Sequence, residues 1–185
     1  MGTLFVDNIK HESAQGSGTI TLGASGETIT VPTGVTLDTT SATQNRPAFQ
    51  AGISATTAIS GANTLLPLNV ARYDIGSNYN TSTYRFTAPK AGRYLFAATI
   101  RFDNPTSGGF MRCYFTINGN HGYSGANYSF GHVISGDNHS TNYESMAPTA
   151  VLNLAANDYV QIYGGRHNGS SSIHNESQFS GYYLG

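Results

Sequence analysis

The sequence predicts an all-β protein, a β-sandwich or jelly roll, and three observations carry that expectation. Apolar residues recur at every second position in short runs, as in Tyr94, Phe96, Ala98, Ile100 and Phe102. Gly and Asn punctuate the chain between these runs, with 22 Gly in 185 residues, which suits many short strands joined by tight turns. No stretch places its apolar residues at a helical period.

Residues 1–45 differ from the rest, with Phe5 as their one aromatic residue. Ser17-Gly18-Thr19-Ile20-Thr21-Leu22 is echoed by Ser25-Gly26-Glu27-Thr28-Ile29-Thr30-Val31 and, more loosely, by Gly34-Val35-Thr36-Leu37. Units of this size bury no core alone and become stable by stacking or by wrapping around copies of themselves. The segment therefore reads either as a slender β-repeat stem or as a flexible tail. Residues 38–46 are a polar linker by composition, and a head domain spans 46–185.

Within the head, the turn Pro89-Lys90-Ala91-Gly92 leads into a strand that puts Tyr94, Phe96, Ala98, Ile100 and Phe102 on one face and Arg93, Leu95, Ala97, Thr99 and Arg101 on the other. Cys113, Phe115 and Ile117 alternate and stop at Asn118-Gly119, a tight-turn pair. Ala150, Leu152 and Leu154 run through Ala155-Ala156-Asn157-Asp158 into Val160 and Ile162, which reads as a hairpin. The last strand carries Phe179, Gly181 and Tyr183 on one face and Ser180, Tyr182 and Leu184 on the other.

Composition narrows the function classes. Only 10% of the residues are charged, against roughly 25% in ordinary soluble domains. The net charge is −1 with no cationic run, so nucleic acid is not an expected partner, since phosphates need clustered Lys and Arg. No apolar run approaches the roughly 18 residues that span a bilayer. The opening Met1-Gly2-Thr3-Leu4-Phe5-Val6-Asp7 has neither the cationic nor the apolar region of a signal peptide, so the expected route to the outside is release with a particle. Cys113 is the lone cysteine and reads as a buried small hydrophobe.

No phosphate loop, His-Glu-x-x-His, Cys-x-x-Cys or Gly-x-Ser-x-Gly pattern occurs. The carboxylates Asp74, Asp103, Asp137 and Asp158 sit singly beside turn residues, where turn chemistry accounts for them. The expectation is a protein without catalytic residues, without a cofactor and without a metal site.

The order of motifs resembles the globular head of complement component 1q, a relative of the tumour necrosis factor fold. Pro47-Ala48-Phe49-Gln50-Ala51 resembles its opening strand. Residues 80–96, Asn80 through Thr87-Ala88-Pro89-Lys90-Ala91-Gly92-Arg93-Tyr94-Leu95-Phe96, resemble its Gly-x-Phe-x-x-Pro-x-x-Gly-x-Tyr-x-Phe core. Thr149–Leu154 with Asp158-Tyr159-Val160 is similar to its penultimate hairpin, and Ser177-Gln178-Phe179-Ser180-Gly181-Tyr182-Tyr183-Leu184 to its closing strand. Asn157 stands where the family has Gly in the Gly-Asp turn, and the stretch from Asn118 to Met146 has no clear counterpart.

The resemblance implies a jelly roll whose one sheet packs against two copies of itself around a threefold axis. Leu95, Ala97, Tyr159, Gln161, Tyr163 and Tyr182 are the expected interface residues of such a homotrimer. The opening Thr3-Leu4-Phe5-Val6-Asp7-Asn8-Ile9-Lys10, with the repeat after it, resembles the start of phage structural proteins. No collagen-like Gly-X-Y repeat precedes the head. Together these imply a tail fibre or spike subunit on the virion surface, joined to other virion structural proteins through residues 1–45. The alternative is a capsid head-decoration or cement protein of the same fold.

The loops 118–146 and 164–176 concentrate planar side chains among Gly, Ser and Asn. Tyr123, Asn127, Tyr128, His132, Arg166, His167, Asn168 and His174 are the candidates there for host attachment, to a surface glycan or an envelope protein. Rings stack on sugar faces while amides pair with hydroxyls, and the same mixture suits protein recognition by adaptable loops.

Overall fold

The computed structural model describes Thr33 and residues 46–105, 109–120, 129–136 and 143–185. The chain divides into two units, Met1–Thr39 and Thr40–Gly185. The expected stem, apart from Thr33, lies outside the described residues, and so do Tyr123, Asn127 and Tyr128.

Among the described residues the regular structure of the second unit is all strand. In chain order these are β1 (Ala48–Gly52), β2 (Thr57–Ser60), β3 (Thr64–Leu65), β4 (Val70–Ile75), β5 (Tyr79–Asn80), β6 (Arg85–Thr87), β7 (Gly92–Asp103), β8 (Met111–Ile117), β9 (Ser129–Ser135), β10 (Tyr143–Met146), β11 (Thr149–Leu154), β12 (Tyr159–Arg166), β13 (Ser170–Ile173) and β14 (Gln178–Tyr183). They form two sheets. One runs β2-β13-β7-β14-β1-β4, with β10 and β11 also paired to β7. The other runs β5-β6-β12-β8-β9, with β3 on β12. Every recorded pairing is antiparallel.

The period-two reading of β7 holds. Tyr94, Phe96, Ala98, Ile100 and Phe102 are buried, and Leu95, Ala97, Thr99 and Arg101 face outward. The core between the sheets is built on rings. Phe49 stacks on Phe86 at 5.0 Å and on Tyr79 at 4.8 Å, and meets Phe179 edge-on at 4.9 Å. Phe115 stacks on Phe179 at 5.5 Å from the facing sheet. Such offset and edge-on pairs follow the ring quadrupole. Gly181 occupies the middle of this cluster, where a Cβ would lie 2.6 Å from the Phe49 ring and 2.7 Å from the Phe96 ring. Two rings take the space of its missing side chain.

The structure corrects one element. The run from Ala150 to Ile162 is not a hairpin, because β11 pairs with β7 while β12 pairs with β6, β8 and β3 in the other sheet. The connecting residues Ala155–Asp158 instead carry the chain across the sandwich. Asn157 takes a φ of 72°. Asp158 accepts from the Ala155 N–H at 2.8 Å and from the Asn118 amide at 2.8 Å. Asn157 N–H donates to Ala88 O, and Ala88 N–H to Asp158 O, each at 2.8 Å. Three of these four bonds, to Ala88 and Asn118, hold the corner to the six-stranded side. The segments 118–146 and 164–176 are also more regular than expected, since they contain β9, β10, the end of β12 and β13.

Candidate binding surfaces

Two surfaces of the sandwich stand out, one on each sheet. The outer face of the eight-stranded sheet is apolar at its centre. Register places Val151, Leu95, Tyr182, Ala48 and Ile75 in one row, and Thr149, Ala97, Ser180, Gln50 and Tyr73 in the next. Tyr73, Val151 and Tyr182 are 49%, 57% and 43% exposed, well above what their apolar area favours. Tyr73, Leu95, Ala97, Ser180, Gly181 and Tyr182 line a shallow depression of about 100 Å³. Two polar side chains on this face have partners within the subunit. Gln50 donates to Gln178 at 2.9 Å, and the Ser180 hydroxyl to Ala97 O at 3.2 Å. Burying the face would strand neither the Gln50 amide nor the Ser180 hydroxyl.

Of the six expected interface residues, Leu95, Ala97 and Tyr182 lie together here. Tyr159, Gln161 and Tyr163 do not, since β12 belongs to the opposite sheet. The expectation that all six share one face is corrected, and the cause is the same sheet-crossing corner at Ala155–Asp158. Tyr73, from a strand that carried no clear sequence signal, and Val151, on the outer side of the Thr149–Leu154 strand, join them on this face instead.

The second surface lies at one end of the six-stranded sheet, where β12 runs antiparallel to β8 and pairs Arg166 with Met111. Beyond that pair, the His167 N–H donates to Phe110 O at 2.8 Å, and the His167 and Phe110 rings stack at 4.7 Å with planes 14° apart. Gly109, at a φ of 80°, makes this approach possible, because a Cβ there would lie 2.3 Å from His167 O.

On the outer side of the same sheet stand Arg112 and Tyr114, alternating with the inward Met111, Cys113 and Phe115. The segment from Gly61 to Asn63 lies over them. Arg112 Nε donates to Ala62 O at 3.2 Å, and its Nη2 donates to Asn63 Oδ1. The Tyr114 hydroxyl donates to the same Asn63 oxygen at 2.6 Å. The Arg112 guanidinium also lies 5.6 Å from the Phe110 ring centre and 5.4 Å from that of Tyr114.

Gly165 is the residue that lets this cover close. At a φ of 130°, it would carry a Cβ 2.2 Å from Gly61 O. Gly165→Ala is expected to lift the Gly61–Asn63 segment off Arg112 and Tyr114, with a loss of about 1–3 kcal/mol in chemical denaturation. An unchanged midpoint would show that the segment is not held there.

Asn63, Phe110, Arg112 and His167 line a cavity of about 320 Å³. Next to it, Tyr114 stacks with Tyr163 at 6.2 Å and meets His132 edge-on at 5.4 Å. Desolvation first, and the Arg112 charge second, lower the pKa of the His132 imidazole. Protonation of His132 is therefore disfavoured.

The attachment candidates thus separate. His167 and Asn168 are exposed at the end of β12, Asn168 with a φ of 55°, and His132 is exposed on β9. Arg166 is corrected: it is fully buried, and its three guanidinium nitrogens have no hydrogen-bond partner. It pairs in register with the inward Met111, which turns it into the sandwich. His174 belongs elsewhere, in an ion cluster on the eight-stranded sheet. Arg101 donates to Asp103 and to Glu176 at 2.8 Å each, and the His174 nitrogens lie 3.8 Å and 3.4 Å from those two carboxylates.

Cys113 is buried, and burial pushes its thiol well above the usual range. The native protein is expected to resist iodoacetamide at pH 8 and to react once unfolded. Prompt alkylation of the native state, read by mass spectrometry, would contradict this placement.

Comparison with known proteins agrees with this architecture. The family described as C1q domain matches residues 48–184. Among solved structures, the globular domain of zebrafish complement 1qA superposes with a TM-score of 0.57 at 18% identity, covering 75% of this chain and 98% of that one. The Eiger TNF of S. frugiperda gives 0.56 at 13% identity, covering 76% and 92%, and murine APRIL 0.55 at 14%, covering 75% and 99%. No curated protein sequence matches. With the sandwich, the aromatic core and the family match spanning all but the ends of the head, the chain belongs to the C1q domain family.

Proposed function

We propose that this chain is a non-enzymatic, trimer-forming recognition protein, a fibre or spike subunit whose C1q-type head meets the surface of a host cell. The observation that carries the proposal is the apolar outer face of the eight-stranded sheet. Aromatic and aliphatic residues gathered at the centre of a sheet face are what a subunit contact buries. This is also the sheet that the family resemblance turns toward a threefold axis. A trimer would leave the six-stranded sheet and its ring-lined cavity facing outward.

The particle context rests on the opening segment, Thr3–Lys10 with the Gly/Thr/Ile repeat, and on the low charge of the whole chain. In this reading residues 1–45 attach to other virion proteins and the head binds a host glycan or envelope protein. The test is to supply particles lacking the protein with full-length chain or with residues 46–185 alone. The full chain should incorporate and restore adsorption, and the head alone should do neither. Incorporation of the head alone would mean that the head docks on the particle, which is the role of a decoration protein.

A further inference from the structure

Two strands carry polar side chains into one end of the sandwich interior. On β12 the inward positions are Val160, Ile162, Gly164 and Arg166. Val160 and Ile162 belong to the core, and a Cβ on Gly164 would lie 3.1 Å from the Phe102 ring. Alternation along the strand turns Arg166 to the same side, opposite the buried Met111. On β13 the inward positions are Ser171 and Ile173, with Ser171 opposite Ile59 of β2 and Ile173 opposite Phe102 of β7. The Ile59 side chain would lie 3.4 Å from a Cβ on Gly165, the neighbour of Arg166. The ends of β12 and β13 therefore meet across the sandwich.

Both polar side chains keep donors to spare. Arg166 is 0% exposed, and its Nε, Nη1 and Nη2 have no hydrogen-bond partner. Ser171 is 4% exposed, and its hydroxyl has none either. Among the described residues no carboxylate forms an ion pair with Arg166. Glu144 of β10 also pairs in register with Phe102, on the flank away from Ile173. A guanidinium cannot lose its proton to escape burial, and a lone cation is among the costliest groups to bury. Its N–H groups only donate, and the Ser171 hydroxyl is free to donate beside them. A water molecule would occupy these donors and leave the charge uncompensated. The neighbours Ile59, Phe102, Met111 and Ile173 are apolar and buried, which disfavours multiply charged, strongly hydrated anions.

We propose that this end of the sandwich binds one monovalent inorganic anion, a halide such as chloride, held by the Arg166 guanidinium and the Ser171 hydroxyl. The ion supplies the counter-charge and joins β12 of one sheet to β13 of the other, one residue before His167. The site is independent of what the head recognises and of how many subunits assemble.

The test is thermal unfolding of the full-length protein in sodium gluconate, with chloride or bromide replacing gluconate at fixed ionic strength so that screening stays constant. The midpoint is expected to rise with either halide and then saturate, by about 2–4 °C or more. In crystals soaked in sodium bromide, an anomalous peak should lie against the Arg166 guanidinium and Ser171 Oγ. Arg166→Met should fold, since an apolar side chain of similar size suits a buried site, and its midpoint should no longer respond to halide. Ser171→Ala keeps the cation and loses a donor, so it should need several times more halide for the same rise. A wild-type midpoint indifferent to halide, or an undiminished response in Arg166→Met, would overturn the proposal. So would a crystal in which a water, or the Glu144 carboxylate, occupies the guanidinium in place of bromide. Should Arg166→Met fail to fold, the Ser171→Ala titration and the bromide map decide the matter without it.

Discussion

Tyr182→Asp is expected to leave a folded monomer at micromolar concentration, against the trimer proposed for the wild-type chain. Tyr182 stands at the centre of the eight-stranded sheet, between Ala48 on β1 and Leu95 on β7, and is 43% exposed on one subunit. An aspartate there meets no cationic partner within its row, whose other members are Val151, Leu95, Ala48 and Ile75. Closing a threefold contact over it would strip water from three carboxylates at once, at several kcal/mol per ion. On the isolated subunit the same carboxylate stays wet, so the melting curve of the monomer should still be cooperative. Ser82→Asp is the matched control, in an exposed turn away from this face. Gel filtration with light scattering reads the result. A trimer that survives Tyr182→Asp, or a wild-type protein that is already monomeric, would remove the eight-stranded sheet from the assembly.

Phe49→Ala is expected to destabilise the head by about 3–5 kcal/mol, a large share of the roughly 5–15 kcal/mol that holds an ordinary domain together. Phe49 is fully buried and meets the rings of Tyr79, Phe86, Phe96 and Phe179, which come from both sheets. Its removal opens a cavity at the centre of the ring cluster that ties the two sheets together. Gly181→Ala tests the same spot from the opposite direction. Its new Cβ would press on Phe49 and Phe96, with an overpacking cost of about 1–3 kcal/mol. In Phe49→Ala the Phe49 half of that clash is gone, so the double variant should lose less than the sum of the two single losses. Strict additivity in urea denaturation would show that Gly181 and Phe49 do not share this space.

These expectations divide into what sequence alone reaches and what it does not. Within a strand, the alternation of side chains follows from backbone geometry with a period of two, so the buried face of β7 is readable from residues 94–102 without any structure. The same geometry gives Phe179 and Gly181 inward, Ser180 and Tyr182 outward, and marks Cys113 as interior. Family motifs add the jelly roll itself, because the spacing of Pro89, Gly92, Tyr94 and Phe96 and the closing Phe179–Leu184 strand report packing constraints met over the whole domain.

What alternation cannot state is which sheet a strand joins. Tyr159, Gln161 and Tyr163 have a clear outward pattern, yet the corner at Ala155–Asp158 delivers them to the opposite side of the sandwich from Leu95 and Tyr182. The choice between hairpin and crossover depends on bonds from Ala88 and Asn118, distant in sequence from that turn. Nor can sequence place Arg166, which sits among polar loop-like residues but pairs with Met111 and so turns inward. The cavity of Asn63, Phe110, Arg112 and His167 is assembled from three separate stretches of chain, brought together because Gly109 and Gly165 lack the Cβ atoms that would hold them apart. The sequence by itself determined the class of fold and the two faces of each well-marked strand, because those follow from local geometry. Only the tertiary structure decided which faces coincide, because that is set by contacts between residues tens of positions apart.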